Sequence, residues 1–203
     1  MLYIPDHQIT DVAIIGIDPG SETLGVCELR FRPQDLSITT IQAFTYHASK
    51  LHSNSQYHDT HGDRLSRIYS LYHALLHLFH TAQPICIACE SPFINVRRPQ
   101  AYGALVEVVS GAIHRAVSEY STHHPLYMVD PPSVKRAVGA KGNADKLEVQ
   151  YAMSQIPEIT IPLQRGLASL DEHSVDACAV AYHQLQQLRQ GRLPASEQQP
   201  FSY

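Results

Sequence analysis

The 203-residue sequence has no apolar run approaching the roughly 20 residues that a membrane-crossing helix requires. Its first ten residues, MLYIPDHQIT, carry neither the basic stretch nor the apolar stretch of a secretory signal. The expectation is a cytoplasmic protein with no membrane partner. Cysteine is scarce: four in the whole chain do not make a disulfide framework for an unexported protein of this size. The closest pair, Cys86 and Cys89, lies inside the apolar run ICIACE. A strand sends side chains three apart to opposite faces, so the pair reads as buried thiols rather than a metal or redox motif. Internal repeats are absent too. The net charge of −4 argues against indiscriminate binding of polyanions by the chain as a whole.

That average hides a pattern. Residues 1–90 carry five Lys/Arg and nine Asp/Glu, residues 91–146 carry seven and four, and residues 147–203 carry three and six. The middle third is basic, so an acidic protein can still hold a phosphate backbone there, the more so where cations neutralise its carboxylates. Ordinary solvated charge is the plainer reading of the counts alone. With 44% hydrophobic residues, the chain has enough apolar material for one domain spanning residues 1–203 around a core of about 12–190.

The run VAIIGID (residues 12–18) has the length and continuous apolarity of a central strand, and it ends on an acid followed by Pro19-Gly20. TLGVCELRFR and LSITTIQAFTY are rich in β-formers and flank Pro33-Gln34-Asp35, which predicts a three-strand antiparallel meander. Residues 47–62 hold four of the thirteen histidines among polar residues and read as a long polar loop. From Asp63 to His80, apolar residues recur at helical spacing. PICIACE is a fourth short strand, again ending on an acid, Glu90. A helix is predicted over residues 100–120, with Gly111 allowing close packing, and PLYMVD is a fifth strand. Short helices follow around VKRAVG and over residues 144–156, then an amphipathic helix over 169–190 and a loose tail, 191–203. This order implies an α/β fold, a mixed five-stranded sheet flanked by helices.

Asp18 and Glu90 each end a buried strand, and buried carboxylates are costly unless paired, protonated or bound to a cation. If the two strands are parallel neighbours, both acids emerge at the same carboxyl edge, where open α/β sheets place their sites. His173 and Asp176 lie three apart on the last helix and share one face. Together, Asp18, Glu90, His173 and Asp176 offer hard oxygen donors with one imidazole, a set suited to Mg²⁺ or Mn²⁺ rather than to a zinc cage. Taken singly, each has an ordinary explanation as turn, helix-start or surface residue. The glycine-containing turn DPGSETLG strengthens the set by letting a phosphate or cation approach Asp18.

Four stretches carry a resemblance: IIGIDPGSETLGVCEL, IACESPFINVRRPQAYGALVEVVSGAI, DPPSVKRAVGAKGNADKLEVQ and LDEHSVDACAVAYHQ. In that order and spacing, over roughly residues 12–189, the chain resembles the RuvC-type Holliday junction resolvases of the RNase H-like superfamily. The resemblance implies an RNase H-like fold and structure-selective, metal-dependent cutting of four-way DNA junctions by a homodimer, through paired nicks in recombination and repair. It implies two Mg²⁺ per active site, with Mn²⁺ as substitute, on the catalytic residues Asp18, Glu90, His173 and Asp176. His173 takes a position held by Asp in some members, and it either ligates a metal or moves a proton; Asp171 is a neighbour ranked below it. Lys135 and Lys146 fall where the family touches DNA, with Arg136 and Lys141 beside them. Phe93 matches an aromatic placed against bases at the junction centre, although a dimer contact would also explain it, and Arg97 and Arg98 stand ready to grip the backbone nearby. A branch-migration helicase or other recombination factor is a possible delivery partner.

The resemblance leaves residues 47–62 and the tail unaccounted for, and their histidines, His47, His52, His58 and His61, are too irregularly spaced for a zinc site. His73, His77 and His80 read as helix-surface or packing residues. The alternatives are an RNase H-like nuclease acting more broadly on flaps, other branched DNA or RNA–DNA hybrids, a junction-binding scaffold without catalysis, and an actin-like nucleotide-binding domain. The last would need a second, duplicated lobe that 203 residues do not provide.

Overall fold

The computed structural model describes residues 11–51, 55–93, 99–164 and 166–191. Its centre is β1 (Val12–Asp18), buried along its length until Asp18 reaches the edge. Val12 and Ile14 pack into one apolar cluster, and Ile15 and Ile17 into a second on the other face, which is why this strand reads as an unbroken apolar run. β2 (Thr23–Phe31) and β3 (Ile38–His47) continue from it as an antiparallel meander. β4 (Cys86–Glu90) and β5 (Leu126–Val129) add parallel strands on the opposite side, giving the order β3-β2-β1-β4-β5.

One face of the sheet carries α4 (Pro131–Ala137), α5 (Lys146–Ser154), the short α6 (Pro157–Thr160) and α7 (Glu172–Arg189). The other carries α1 (Ser55–Ala82) and a helical run made of α2 (Pro99–Val108), a π-helical segment (Val109–His114) and α3 (Arg115–Tyr120). Gly111 in the π-helical segment admits Ile68 of α1: a methyl there would stand 3.1 Å from its Cγ2. Cys86 and Cys89 belong to opposite clusters, and both are free and buried, as strand alternation predicts. Among the described residues no helix is long and apolar enough to cross a membrane.

The helix ends are fixed locally. Asp130 caps α4 by accepting from the Ser133 N–H, and Asp145 and Glu148 form a reciprocal capping box on α5. Asp171 caps α7, its Oδ1 accepting from the Ser174 N–H at 2.9 Å and from the Thr45 hydroxyl at 2.6 Å.

The reading of residues 47–62 as a polar loop is corrected. β3 runs to His47, a short 3-10 turn covers Ala48–Lys50, and α1 begins at Ser55. Gly62, at φ +79° and ψ 171°, breaks α1 into a short first piece and the long amphipathic one. The first piece lacks an apolar face, which hid it, but the Tyr57 ring stacks on Tyr69 at 4.3 Å and lies 4.4 Å from His61. That aromatic contact supplies the burial the polar sequence lacks. His52 and residues 192–203 of the expected tail lie outside the described residues. His73, His77 and His80 lie exposed on α1.

Candidate active site

β1 and β4 pair in parallel with Ile17 opposite Cys89, so the next residues, Asp18 and Glu90, leave the sheet side by side at its carboxyl edge. α7 lies across β1 and β2 with its N-terminus at the same edge. Two glycines seat it. A methyl on Gly16 would meet the Ala177 carbonyl oxygen at 2.3 Å, and one on Gly25 would meet the His173 carbonyl oxygen at 2.1 Å. The helix backbone therefore rests directly on the strands, and this depth brings His173 and Asp176 down to Asp18.

His173 Nδ1 lies 2.8 Å from Asp18 Oδ2, and its other ring nitrogen, Nε2, lies 2.8 Å from the Thr23 hydroxyl. The ring is held at both nitrogens. The Asp18 hydrogen bond raises the His173 pKa, against the opposing effect of burial. Glu90 is pushed up to about 8 by burial first, then by the charges of Asp18 and Asp176, with Lys135 and Lys146 pulling the other way. Burial and the nearby Asp18 charge likewise raise Asp176 to about 6. These carboxyls are crowded and desolvated, and they lack the positive charge that full ionisation demands.

Two lysines supply part of that charge. Lys146, the first residue of α5, places Nζ 2.9 Å from Glu172 Oε2 and 4.0 Å from Asp176 Oδ2. Lys135 donates from Nζ to the Ala144 carbonyl oxygen at 2.7 Å, and its charge favours the ionised form of Glu90. Arg136 and Lys141 are exposed, with Arg136 donating to the Ser133 hydroxyl at 3.0 Å. Phe93 stands 57% exposed three residues beyond Glu90, an arrangement that leaves its ring unburied. Arg97 and Arg98 lie outside the described residues.

The donor set fits a hard divalent cation. Adjacent ligands on an octahedral Mg²⁺ with bonds of about 2.1 Å stand about 3 Å apart. His173 Nδ1 and Asp18 Oδ2, at 2.8 Å, point at each other in a hydrogen bond, so a cation would be held between them only once one of the two side chains turned aside. As the side chains stand, no three of the His, Cys, Asp and Glu groups among the described residues converge closely enough to hold a cation outright. His173 is turned onto Asp18, and Asp171 is committed to capping α7 and to Thr45, which keeps its pKa low despite partial burial.

The RuvC family model, described as crossover junction endodeoxyribonuclease RuvC, matches residues 14–183. The chain belongs to the RuvC family. A crossover junction endodeoxyribonuclease RuvC from Cytophaga hutchinsonii is 31% identical over 148 residues, which cover 72% of this chain and 65% of that relative. The chain thus spans just under two thirds of that protein's length. A second relative of the same name, from Chlorobium phaeobacteroides, is 24% identical over 73% of this chain and 71% of its own. Among solved structures, T. thermophilus RuvC in complex with a Holliday junction substrate superposes with a TM-score of 0.63 at 20% identity, covering 89% of this chain and 97% of that one. That likeness shows that the two chains share the fold of a mixed five-stranded sheet flanked by helices.

Asp18, Glu90, His173 and Asp176, chosen from the sequence, are brought to one edge. Reading the sequence alone missed Thr23, Glu172 and the seating glycines Gly16 and Gly25. Thr23 and Gly25 sit in the DPGSETLG stretch already singled out, so their position was visible while their partners on α7, 150 residues away for Thr23, were not.

Proposed function

We infer that this RuvC-family chain is a metal-dependent endonuclease that resolves four-way DNA junctions by paired symmetric nicks, acting as a homodimer. The observation that carries the reading is that Asp18, Glu90, His173 and Asp176 stand at one strand edge, with Glu90 and Asp176 raised by burial and then by the neighbouring carboxylates. Membership of the family supports the substrate class.

Bound Mg²⁺, two per site with Mn²⁺ as substitute, would polarise the scissile phosphate and lower the pKa of a water nucleophile. Asp18, Glu90 and Asp176 would hold it through oxygen and His173 through Nδ1. Lys146 and Lys135 stand beside these carboxylates, where they offset part of the negative charge and would contact the phosphates flanking the scissile one. Arg136 and Lys141 would extend that basic surface along the DNA backbone, and Arg97 and Arg98, which follow Phe93 in the sequence, would add phosphate contacts. Phe93 offers an exposed ring for stacking against a base at an opened junction centre. The work fits one domain in the cytoplasm, with a branch-migration helicase or other recombination factor as a delivery partner.

The test is cleavage by the purified chain with Mg²⁺ of immobile and mobile four-way junctions, a flap, linear duplex and an RNA–DNA hybrid. Symmetric nicks confined to four-way junctions are expected. Equal cutting of flaps or hybrids would replace this reading with a broader branched-substrate nuclease.

A further inference from the structure

The lysines beside the carboxylates come from α4 and α5, on one side of the edge. On the other side lie β2 and β3, and β3 ends there at His47. The antiparallel register pairs Gly25 with Thr45 and Thr23 with His47. Cross-strand partners share a face of the sheet, and so do alternate residues of one strand. Thr23 and Thr45 both turn toward α7, where their hydroxyls meet His173 and Asp171. The backbone is still extended at His47, with φ −98° and ψ 111°, so its side chain lies on that same face beside Thr23. β1, which carries Asp18, is two strand spacings away, about 10 Å.

His47 opens the 3-10 turn Ala48–Lys50, yet its side chain makes no capping hydrogen bond. Among the described residues the His47 ring has no hydrogen-bond or ion-pair partner, and neither has the ammonium of Lys50, exposed in the same turn. The acids nearby are already matched. Glu22 is held by Arg67 at 3.2 Å and by the Ser49 hydroxyl, Asp171 by the Ser174 N–H and the Thr45 hydroxyl, and Glu172 by Lys146 at 2.9 Å. The end of β3 therefore offers an imidazole N–H and an ammonium to an anion. An imidazole keeps at least one N–H whether neutral or charged, so this offer does not depend on titration.

We propose that His47, with Lys50 three residues on, binds the phosphate backbone of the cut DNA strand where that strand leaves the edge on the β3 side. The strand then runs from the α5 lysines, over Asp18 and Glu90, to the end of β3. The proposal rests on the DNA-cutting reading and adds the path of the strand across the site.

The experiment uses the full chain with Mg²⁺ and a four-way junction, in the non-cutting Asp18→Asn background. Junction affinity is measured over a salt series with His47→Ala, His47→Gln and Lys50→Gln added in turn, and with His77→Ala as a control on the exposed face of α1. His47→Ala should weaken binding about tenfold and His47→Gln, which keeps an N–H donor, should restore most of it. Lys50→Gln should lower the slope of log K against log salt by about one. His77→Ala should change neither. Because Cys27, Cys86, Cys89 and Cys178 are buried, His47→Cys can be labelled selectively with an aryl azide. Photocrosslinks should fall on the cut strand, on one side of the nick site. Unchanged affinity and slope in both His47→Ala and Lys50→Gln would overturn the proposal, and so would crosslinks confined to the uncut strands. If the wild type cuts junctions while those results hold, this proposal alone falls. If it cuts flaps or hybrids equally well and their binding shows the same dependence on His47, this proposal stands and the junction-resolving reading falls.

Discussion

Glu90 is the most strained titratable residue of the site. It ends a strand whose other residues are buried, and two carboxylates face it. Its pKa of about 8 in the fold stands above the ordinary 4.5, so the folded state holds this proton more tightly than the unfolded chain. Stability is therefore full below about pH 4.5 and is lost as pH rises toward 8. Asp176 at about 6, and His173 with its raised value, shift stability in the same direction. In a chelator, Glu90, Asp176 and His173 should together cost the wild type stability between pH 4.5 and pH 8, offset in part by His124 and His183, whose burial lowers their pKa and acts in the opposite direction. Glu90→Gln should be more stable than the wild type at pH 8 by about 1–3 kcal/mol, with no gain at pH 4.5. Thermal unfolding at both pH values checks this. Equal stabilities at pH 8 would mean that Glu90 carries no such strain. The acids at residues 18 and 90 were visible in the sequence because each interrupts an apolar run, a purely local pattern. The burial and neighbouring charges that shift Glu90 were not, since they depend on how the end of β4 is packed and on Asp18 and Asp176, which are distant in the chain.

Among the elements, α7 does most to assemble the site. Its cap at Asp171 and its i, i+3 pair are written locally, and the helix was expected from the amphipathic run over 169–190. Its depth is written elsewhere, in Gly16 and Gly25 on two strands, as glycines that resemble ordinary strand irregularities until the helix is laid over them. Gly25→Ala would put a methyl 2.1 Å from the His173 carbonyl oxygen, a backbone atom that cannot swing aside. The helix must lift, which should cost about 1–3 kcal/mol and pull His173 away from Asp18. Cleavage should fall far more than junction binding, because α4 and the loop bearing Lys141 do not rest on Gly25. Chemical denaturation alongside a cleavage and a binding assay tests both halves; unchanged cleavage would mean that the seating does not set the site. The helical start of α1 was illegible for the opposite reason. Its residues are polar throughout, and the stacking of Tyr57 on Tyr69 that supports it spans the break at Gly62.

Over the whole molecule, the sheet order β3-β2-β1-β4-β5 explains why one edge holds everything. β1 and β4 are parallel neighbours, so their acids emerge together; β2 starts at that edge and delivers Thr23, and α7 starts there too. The basic hairpin of α4 and α5 follows β5 and returns to the same place, which puts Lys135 and Lys146 among the carboxylates rather than on a separate face. The three-strand meander and the mixed direction were legible because alternation, strand length and turn residues are local, whereas the order β3-β2-β1-β4-β5 was not, because it depends on crossovers between distant segments. The placement of the two lysines was only half legible: residue type and segment were visible, but their closeness to Asp176 and Glu90 required the crossover from β5.

The most direct measurement compares wild type, Asp18→Asn and Asp176→Asn on one four-way junction, recording binding and Mg²⁺-dependent cutting in parallel. Each substitution removes a carboxylate from the edge and leaves the basic surface intact. Junction binding within a few-fold of wild type, with cutting reduced at least a thousandfold, is expected if these acids hold the cations that stabilise the charge at phosphorus. Cutting at the wild-type rate by either variant would contradict the assignment of this edge as the active site.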